Sequence, residues 1–149
     1  MKSKIYIAYG SNMDTEQMKH RCPDAELLGT GILENWRLMF KGSKTGAYAT
    51  IEWEKGYNVP ILLWEISETD EAYLDHYEGF PRFYYKAHVS YHDASGATKK
   101  GMVYIMHEER NLGEPSVFYY KVLEDAYMKF SFNLEILEDA YWYSLGREW

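Results

Sequence analysis

The chain opens on an almost wholly apolar run at residues 4–9. That run is too apolar for a half-exposed strand and predicts one buried on both faces. A polar stretch with helical character follows at residues 14–21, with Asn12 or Asp14 as its cap and Cys22-Pro23 as its stop. Residues 26–33 and 36–40 predict two strands joined at Glu34-Asn35. Residues 48–53 predict a third strand ending in a turn near Lys55-Gly56, and residues 59–66 a fourth with Pro60 near its start. Ser67 then caps a helix from Glu68 to about Tyr77, which Gly79 and Pro81 terminate. Residues 83–92 and 100–107 predict a hairpin. Ser116 caps a helix to about Lys129, with Tyr119, Val122, Leu123 and Ala126 as its apolar stripe. Asn133 caps a last helix to about Leu145. Leu-Glu-Asp-Ala-Tyr occurs at both Leu123 and Leu137, and Ser131-Phe132-Asn133 between them predicts two packed helices rather than one long one.

Strands mixed with helices, without strict alternation, predict an α+β fold. The glycine-punctuated strands predict a closed or strongly curled sheet. At 149 residues without an internal linker, one domain over residues 1–149 is expected. Composition adds an aromatic surplus: 15 Tyr, 6 Phe and 5 Trp supply large surfaces with polar tips, suited to a barrel interior or a pocket wall. A net charge of −7 with scattered Lys and Arg argues against a nucleic-acid footprint. Cys22 is the sole cysteine, so no intrachain disulfide can form. With no signal-like segment and no run of membrane-spanning length, a soluble cytoplasmic protein is expected.

Two places can carry chemistry. Tyr9-Gly10-Ser11-Asn12 turns a strand into a helix start, an arrangement that presents backbone N–H groups to an anion or a developing negative charge. It has no Lys and is too short for a phosphate loop. Its bland reading is a routine capped turn. Glu78 stands at a helix C-terminus, where the dipole disfavours a carboxylate by about 0.3–1 kcal/mol. Asp75 and Glu71 share its side of the helix, so dipole and like charge both predict a raised pKa, and Tyr77, Phe80 and Phe83 would add desolvation if they close over it. The bland reading is a solvated Glu at a frayed end.

Taken together, these motifs resemble the γ-glutamyl cyclotransferase-like family, also called AIG2-like. Tyr9-Gly10-Ser11-Asn12-Met13 carries the first part of the resemblance. The stretch from Leu74 through Glu78-Gly79-Phe80-Pro81 to Tyr84 carries the second, and Pro115-Ser116-Val117-Phe118-Tyr119 the third. The resemblance implies a small mixed β-barrel flanked by helices. It implies a pocket floored by Tyr9, Gly10, Ser11, Asn12 and Met13, with Glu78 as catalytic acid/base and Tyr119 touching substrate; adjacent Tyr120 could substitute. The implied reaction closes a γ-glutamyl amide on itself, releasing 5-oxoproline and a free amine or amino acid. It needs neither metal nor organic cofactor. The partner is a small γ-glutamyl substrate, and the chain is a monomer or homodimer. A γ-glutamylamine or modified metabolite as substrate, and a non-catalytic binder with the same pocket, stay open. Of the other candidates, His88 and His92 read as strand residues without a third metal ligand, Cys22 as structural, and Tyr84 or Tyr85 as pocket lining or barrel core. Trp142 and Trp149 read as closing the core, with an exposed apolar patch and dimer contact as the alternative.

Overall fold

The protein is described over residues 3–146 by a computed structural model. Its strands are β1 (Ser3–Ala8), β2 (Glu26–Lys41), β3 (Tyr48–Ser67), β4 (Tyr84–Asp93) and β5 (Thr98–Met106). Its helices are α1 (Thr15–Arg21), α2 (Glu68–Glu78), α3 (Val117–Lys129) and α4 (Leu134–Ser144). The strands close into a barrel in the order β1-β3-β2-β4-β5. Pairing is antiparallel except where β1 meets β5 in parallel at Tyr6 and Met102, which completes the ring. The fold is therefore α+β with a mixed barrel, closed by short pairings of β1 with β5 and of β2 with β4. Ile7, Leu33, Phe40, Ile51, Ile61, Leu62 and Trp64 fill the core.

Two turns expected in the sequence are bends within continuous strands. β2 runs through Glu34-Asn35, and β3 runs through Lys55-Gly56. Both halves of β2 pair with the same partner, Leu33 opposite Val59 and Trp36 opposite Trp53, with a register shift between Glu34 and Trp36. Asn35 takes the shift at φ 66°, and its Oδ1 accepts from the N–H of Gly56, itself at φ 95°. The polar and glycine signals were those of a bulge, which bends a strand without ending it.

The helix ends are specified locally. Ser67 Oγ accepts from the Asp70 N–H while the Asp70 carboxylate accepts from the Ser67 N–H, a reciprocal capping box. At the other end of α2, Gly79 is left-handed at φ 65°; its N–H reaches the His76 carbonyl, and that of Phe80 reaches Asp75. This Schellman closure fixes Glu78 on the last turn. α3 ends the same way: Ser131 N–H to Met128 O, Phe132 N–H to Tyr127 O, with the Tyr127 and Phe132 rings 5.5 Å apart. Here Ser131 occupies the left-handed position at φ 58°. Ser131→Gly is expected to raise stability by roughly 0.5–1 kcal/mol, because glycine carries no Cβ penalty there. A urea midpoint that stays put or falls would contradict that.

The repeated pentapeptide behaves as two copies of one helical stripe. Leu123 and Ala126 on α3, and Leu137 and Ala140 on α4, are all buried. α4 is also pinned to the barrel, where Ser144 Oγ accepts from the Phe40 N–H and donates to the Ala140 carbonyl. Trp142 meets the Tyr141 ring edge-on at 5.1 Å, whereas Trp149 lies outside the described residues.

Candidate active site

The recess at one end of the barrel begins with the chain leaving β1. Ala8 still pairs with Leu62; Gly10 then starts a single 3-10 turn, Ser11–Met13. Met13 N–H donates to Gly10 O and Asp14 N–H to Ser11 O, both at 3.0 Å. The Asp14 carboxylate caps α1 by accepting from the Glu16 and Gln17 amides. A Cβ at Gly10 would lie 3.3 Å from the Tyr119 hydroxyl and 3.6 Å from Ala49 Cβ. A side chain there would press on Tyr119, and no left-handed turn is involved.

Tyr6, Tyr9, Gly10, Ser11, Asn12, Ala49, Glu78, Tyr84, Tyr104 and Tyr119 surround the recess, which holds about 20 Å³, room for one small group. It opens into an outer cleft of about 200 Å³ that shares Ser11, Glu78, Tyr84 and Tyr119 with it. The structure thus brings Glu78, Tyr119 and residues 9–12 together. Met13 does not reach the recess: its side chain is core and its N–H is spent on Gly10. The amides available to a ligand narrow to Gly10, Ser11 and Asn12, those that a short helix's first turn leaves without an intrahelical acceptor.

Each loop side chain is held from behind. Asn12 Nδ2 donates to the Tyr6 hydroxyl at 2.8 Å, and Asn12 Oδ1 accepts from Arg21 Nη1. Tyr9 donates to the Tyr104 carbonyl at 2.6 Å, so it contributes a wall rather than a free hydroxyl. Tyr84 donates to the Ala49 carbonyl at 2.7 Å, while Tyr119 accepts from the Ala49 N–H at 3.1 Å and keeps its own proton to donate. Tyr120 packs instead against Phe40 and Tyr141, away from the recess. Tyr85 turns to Glu108.

Glu78 is half-buried at the end of α2, and no hydrogen bond or ion pair reaches its carboxylate among the described residues. Burial lifts its pKa to about 7, with the Arg21 guanidinium pulling weakly the other way. The expected like-charge cause is absent. Lys86 pairs with Glu71 at 2.8 Å and Asp75 at 3.1 Å, Lys4 pairs with Glu71 at 2.9 Å, and Tyr104 donates to Asp75 at 2.6 Å. Those neighbours are paired, and loss of water, the other expected cause, raises the pKa. His88 and His92 lie on β4, where His92 Nδ1 contacts Thr98 Oγ1. Cys22 is buried behind α2, its Sγ 3.7 Å from the Asp70 carbonyl.

Tyr6, Ala49, Tyr104 and Arg21 were not singled out in the sequence. A tyrosine inside a buried strand needs a partner for its hydroxyl; Tyr6 in Ile-Tyr-Ile-Ala carried that signal. Arg21, at the end of a polar helix, carried none.

Residues 6–122 match the family described as "Gamma-glutamyl cyclotransferase, AIG2-like". A bovine protein named gamma-glutamylcyclotransferase is 34% identical over 85 residues, 52% of this chain and 45% of the relative. The chain spans about half the length of the curated relatives it matches. A solved gamma-glutamyl cyclotransferase superposes with a TM-score of 0.84 at 26% identity, covering 93% of this chain and 86% of that one. A crystal structure of an uncharacterized human protein gives a TM-score of 0.84 at 28% identity, covering 94% and 87%.

Proposed function

From the premise that this chain belongs to the gamma-glutamyl cyclotransferase, AIG2-like family, we propose that it cyclises a γ-glutamyl amide to 5-oxoproline with Glu78 as general acid/base. The observation that carries the proposal is the Glu78 carboxyl. It has no hydrogen-bond or ion-pair partner among the described residues, has a pKa of about 7, and shares a recess with Gly10, Ser11 and Asn12. A solvated surface glutamate at a frayed helix end would have neither the raised pKa nor the shared enclosure.

The groups suit the reaction in sequence. The substrate's α-ammonium first loses its proton to Glu78. The freed nitrogen attacks the γ-carbonyl carbon, and the new C–N bond closes a five-membered ring. Attack within one molecule gains most from orientation, with effective molarities on the order of 10⁵ M or more. Negative charge collects on the carbonyl oxygen, where preorganised donors matter most. The Gly10, Ser11 and Asn12 amides are the donors for that oxygen or for the α-carboxylate, and the Tyr119 hydroxyl supplements them. Breakage of the amide C–N bond follows, and Glu78 returns its proton to the departing amine. A carboxyl titrating near neutrality can serve in both directions.

The direct test is release of 5-oxoproline and free amine from γ-glutamyl amino acids, followed by chromatography; intact substrate after prolonged incubation would overturn the proposal. Tyr119→Phe is expected to lower kcat/KM about tenfold, the worth of one buried hydrogen bond. It also leaves the Ala49 N–H without its acceptor. An unchanged kcat/KM would remove Tyr119 from the substrate contacts.

A further inference from the structure

The outer cleft is walled by rings. Tyr48, Tyr77, Phe83, Tyr84 and Tyr119 line it beside Ser11 and Glu78. Tyr48 stands edge-on to Tyr119 at 5.3 Å and to Phe83 at 6.2 Å, so three of the rings form one connected apolar wall. Even so, Tyr48 remains 48% exposed and Tyr77 45% exposed. The cleft's volume of about 200 Å³ is some ten times that of the recess where the reacting carbonyl would sit. A group reaching out from that carbonyl would cover these rings.

Charge narrows what the group can be. The Arg21 guanidinium lies 3.5 Å from the centre of the Tyr77 ring, and that of Arg110 lies 4.2 Å from the centre of Phe83. Each cation has already taken a face of an aromatic wall. Their side chains donate to neutral acceptors, Asn12 Oδ1 and the Arg82 carbonyl, and Arg110 Nε is buried without a partner among the described residues. Glu78 is the one carboxylate lining the cleft, and the reaction occupies it. A second ammonium would therefore enter beside two guanidinium groups that make no ion pair among the described residues, with no counter-charge of its own.

We propose that this cleft holds the departing amine, and selects one that carries a large aromatic or branched apolar group and no second ammonium. Amino acids such as phenylalanine and leucine fit it, in preference to glycine and to polyamines. The inference rests on the cyclisation proposed above. The bonds are the same for every such substrate: the α-nitrogen joins the γ-carbonyl carbon, the amide C–N bond breaks, and one proton ends on the departing nitrogen.

The test compares γ-glutamyl-phenylalanine, γ-glutamyl-glycine and γ-glutamyl-putrescine as substrates of the full chain, reading kcat/KM from 5-oxoproline. The phenylalanine substrate is expected to exceed each of the others about tenfold or more, the scale on which apolar pockets discriminate. Tyr48→Ala is expected to shrink the phenylalanine-to-glycine ratio to within about threefold, whereas Tyr48→Phe, which keeps the ring, preserves it. Equal turnover of all three substrates, preference for putrescine, or a ratio untouched by Tyr48→Ala would overturn the selectivity while leaving the reaction standing. No 5-oxoproline from any of them would sink both.

Discussion

Glu78→Gln is expected to lower the rate of 5-oxoproline release by about 10²–10⁴-fold, the usual contribution of a positioned acid/base. The loss should fall on kcat, with KM changed little. Glutamine keeps the shape of the side chain and the lining of the recess but can neither take a proton from the α-ammonium nor return one to the departing amine. No neighbouring group can replace it. Burial, reinforced by the charge of Glu78 itself, holds the Tyr6 and Tyr9 phenols far above their ordinary range. Burial does the same at Tyr84 and Tyr119. All four keep their protons at neutral pH, so none can take one from the α-ammonium. Glu78 makes no protein hydrogen bond that the substitution would break, so the variant should fold, and circular dichroism can verify this alongside the assay. A folded variant that releases 5-oxoproline at the parental rate would remove Glu78 from the mechanism.

Glu78 was readable in the sequence because it breaks a local rule. An acidic residue against the negative end of a helix, next to a glycine stop, is out of place unless something uses it. The predicted direction of its pKa matches the structure, but the predicted causes do not all survive. Helix periodicity put Glu71 and Asp75 on the same side, yet their charges are met by Lys4 on β1 and Lys86 on β4. Lys4 is 67 residues from Glu71, and Lys86 reaches α2 only because β4 folds back beside it, so neither pairing shows in the helix's own pattern. Desolvation, the dominant cause, depends on the same tertiary packing. Local patterning could locate the group but not weigh its surroundings.

The other differences have the same origin. The helix caps at Asp14, Ser67, Ser116 and Asn133 were legible because each joins residues two or three apart. The strand breaks at Asn35 and Gly56 were misread because left-handed residues mark hairpin turns and bulges alike, and only pairing tells them apart. The family resemblance puts Met13 in the pocket floor. One 3-10 hydrogen bond turns it into the core, a distinction four consecutive residues do not announce. Tyr6 and Tyr104 reach the recess from β1 and β5, and Arg21 braces Asn12 from α1, so their convergence is a property of the tertiary fold.

The environment that lifts Glu78 also carries a stability cost, and its pH dependence has a definite sign. The carboxyl titrates near 4.5 when exposed and near 7 in the folded protein. Below pH 4.5 both states hold the proton and Glu78 contributes no difference. Between 4.5 and 7 the unfolded chain releases its proton while the folded chain keeps it, so stability falls as pH rises. Above 7 the penalty is complete, at about 3 kcal/mol for the interval between the two values. Glu78→Gln removes it. The variant should match the parent near pH 4 and exceed it by roughly 2–3 kcal/mol at pH 8, measured by urea unfolding at both pH values. Gained stability at pH 8 together with lost turnover would mark Glu78 as a group held ionisable for function at the fold's expense. Equal stability at the two pH values would mean that the carboxylate is well solvated in the folded state, and a solvated carboxylate could not hold its proton at neutral pH as the proposed return to the departing amine requires.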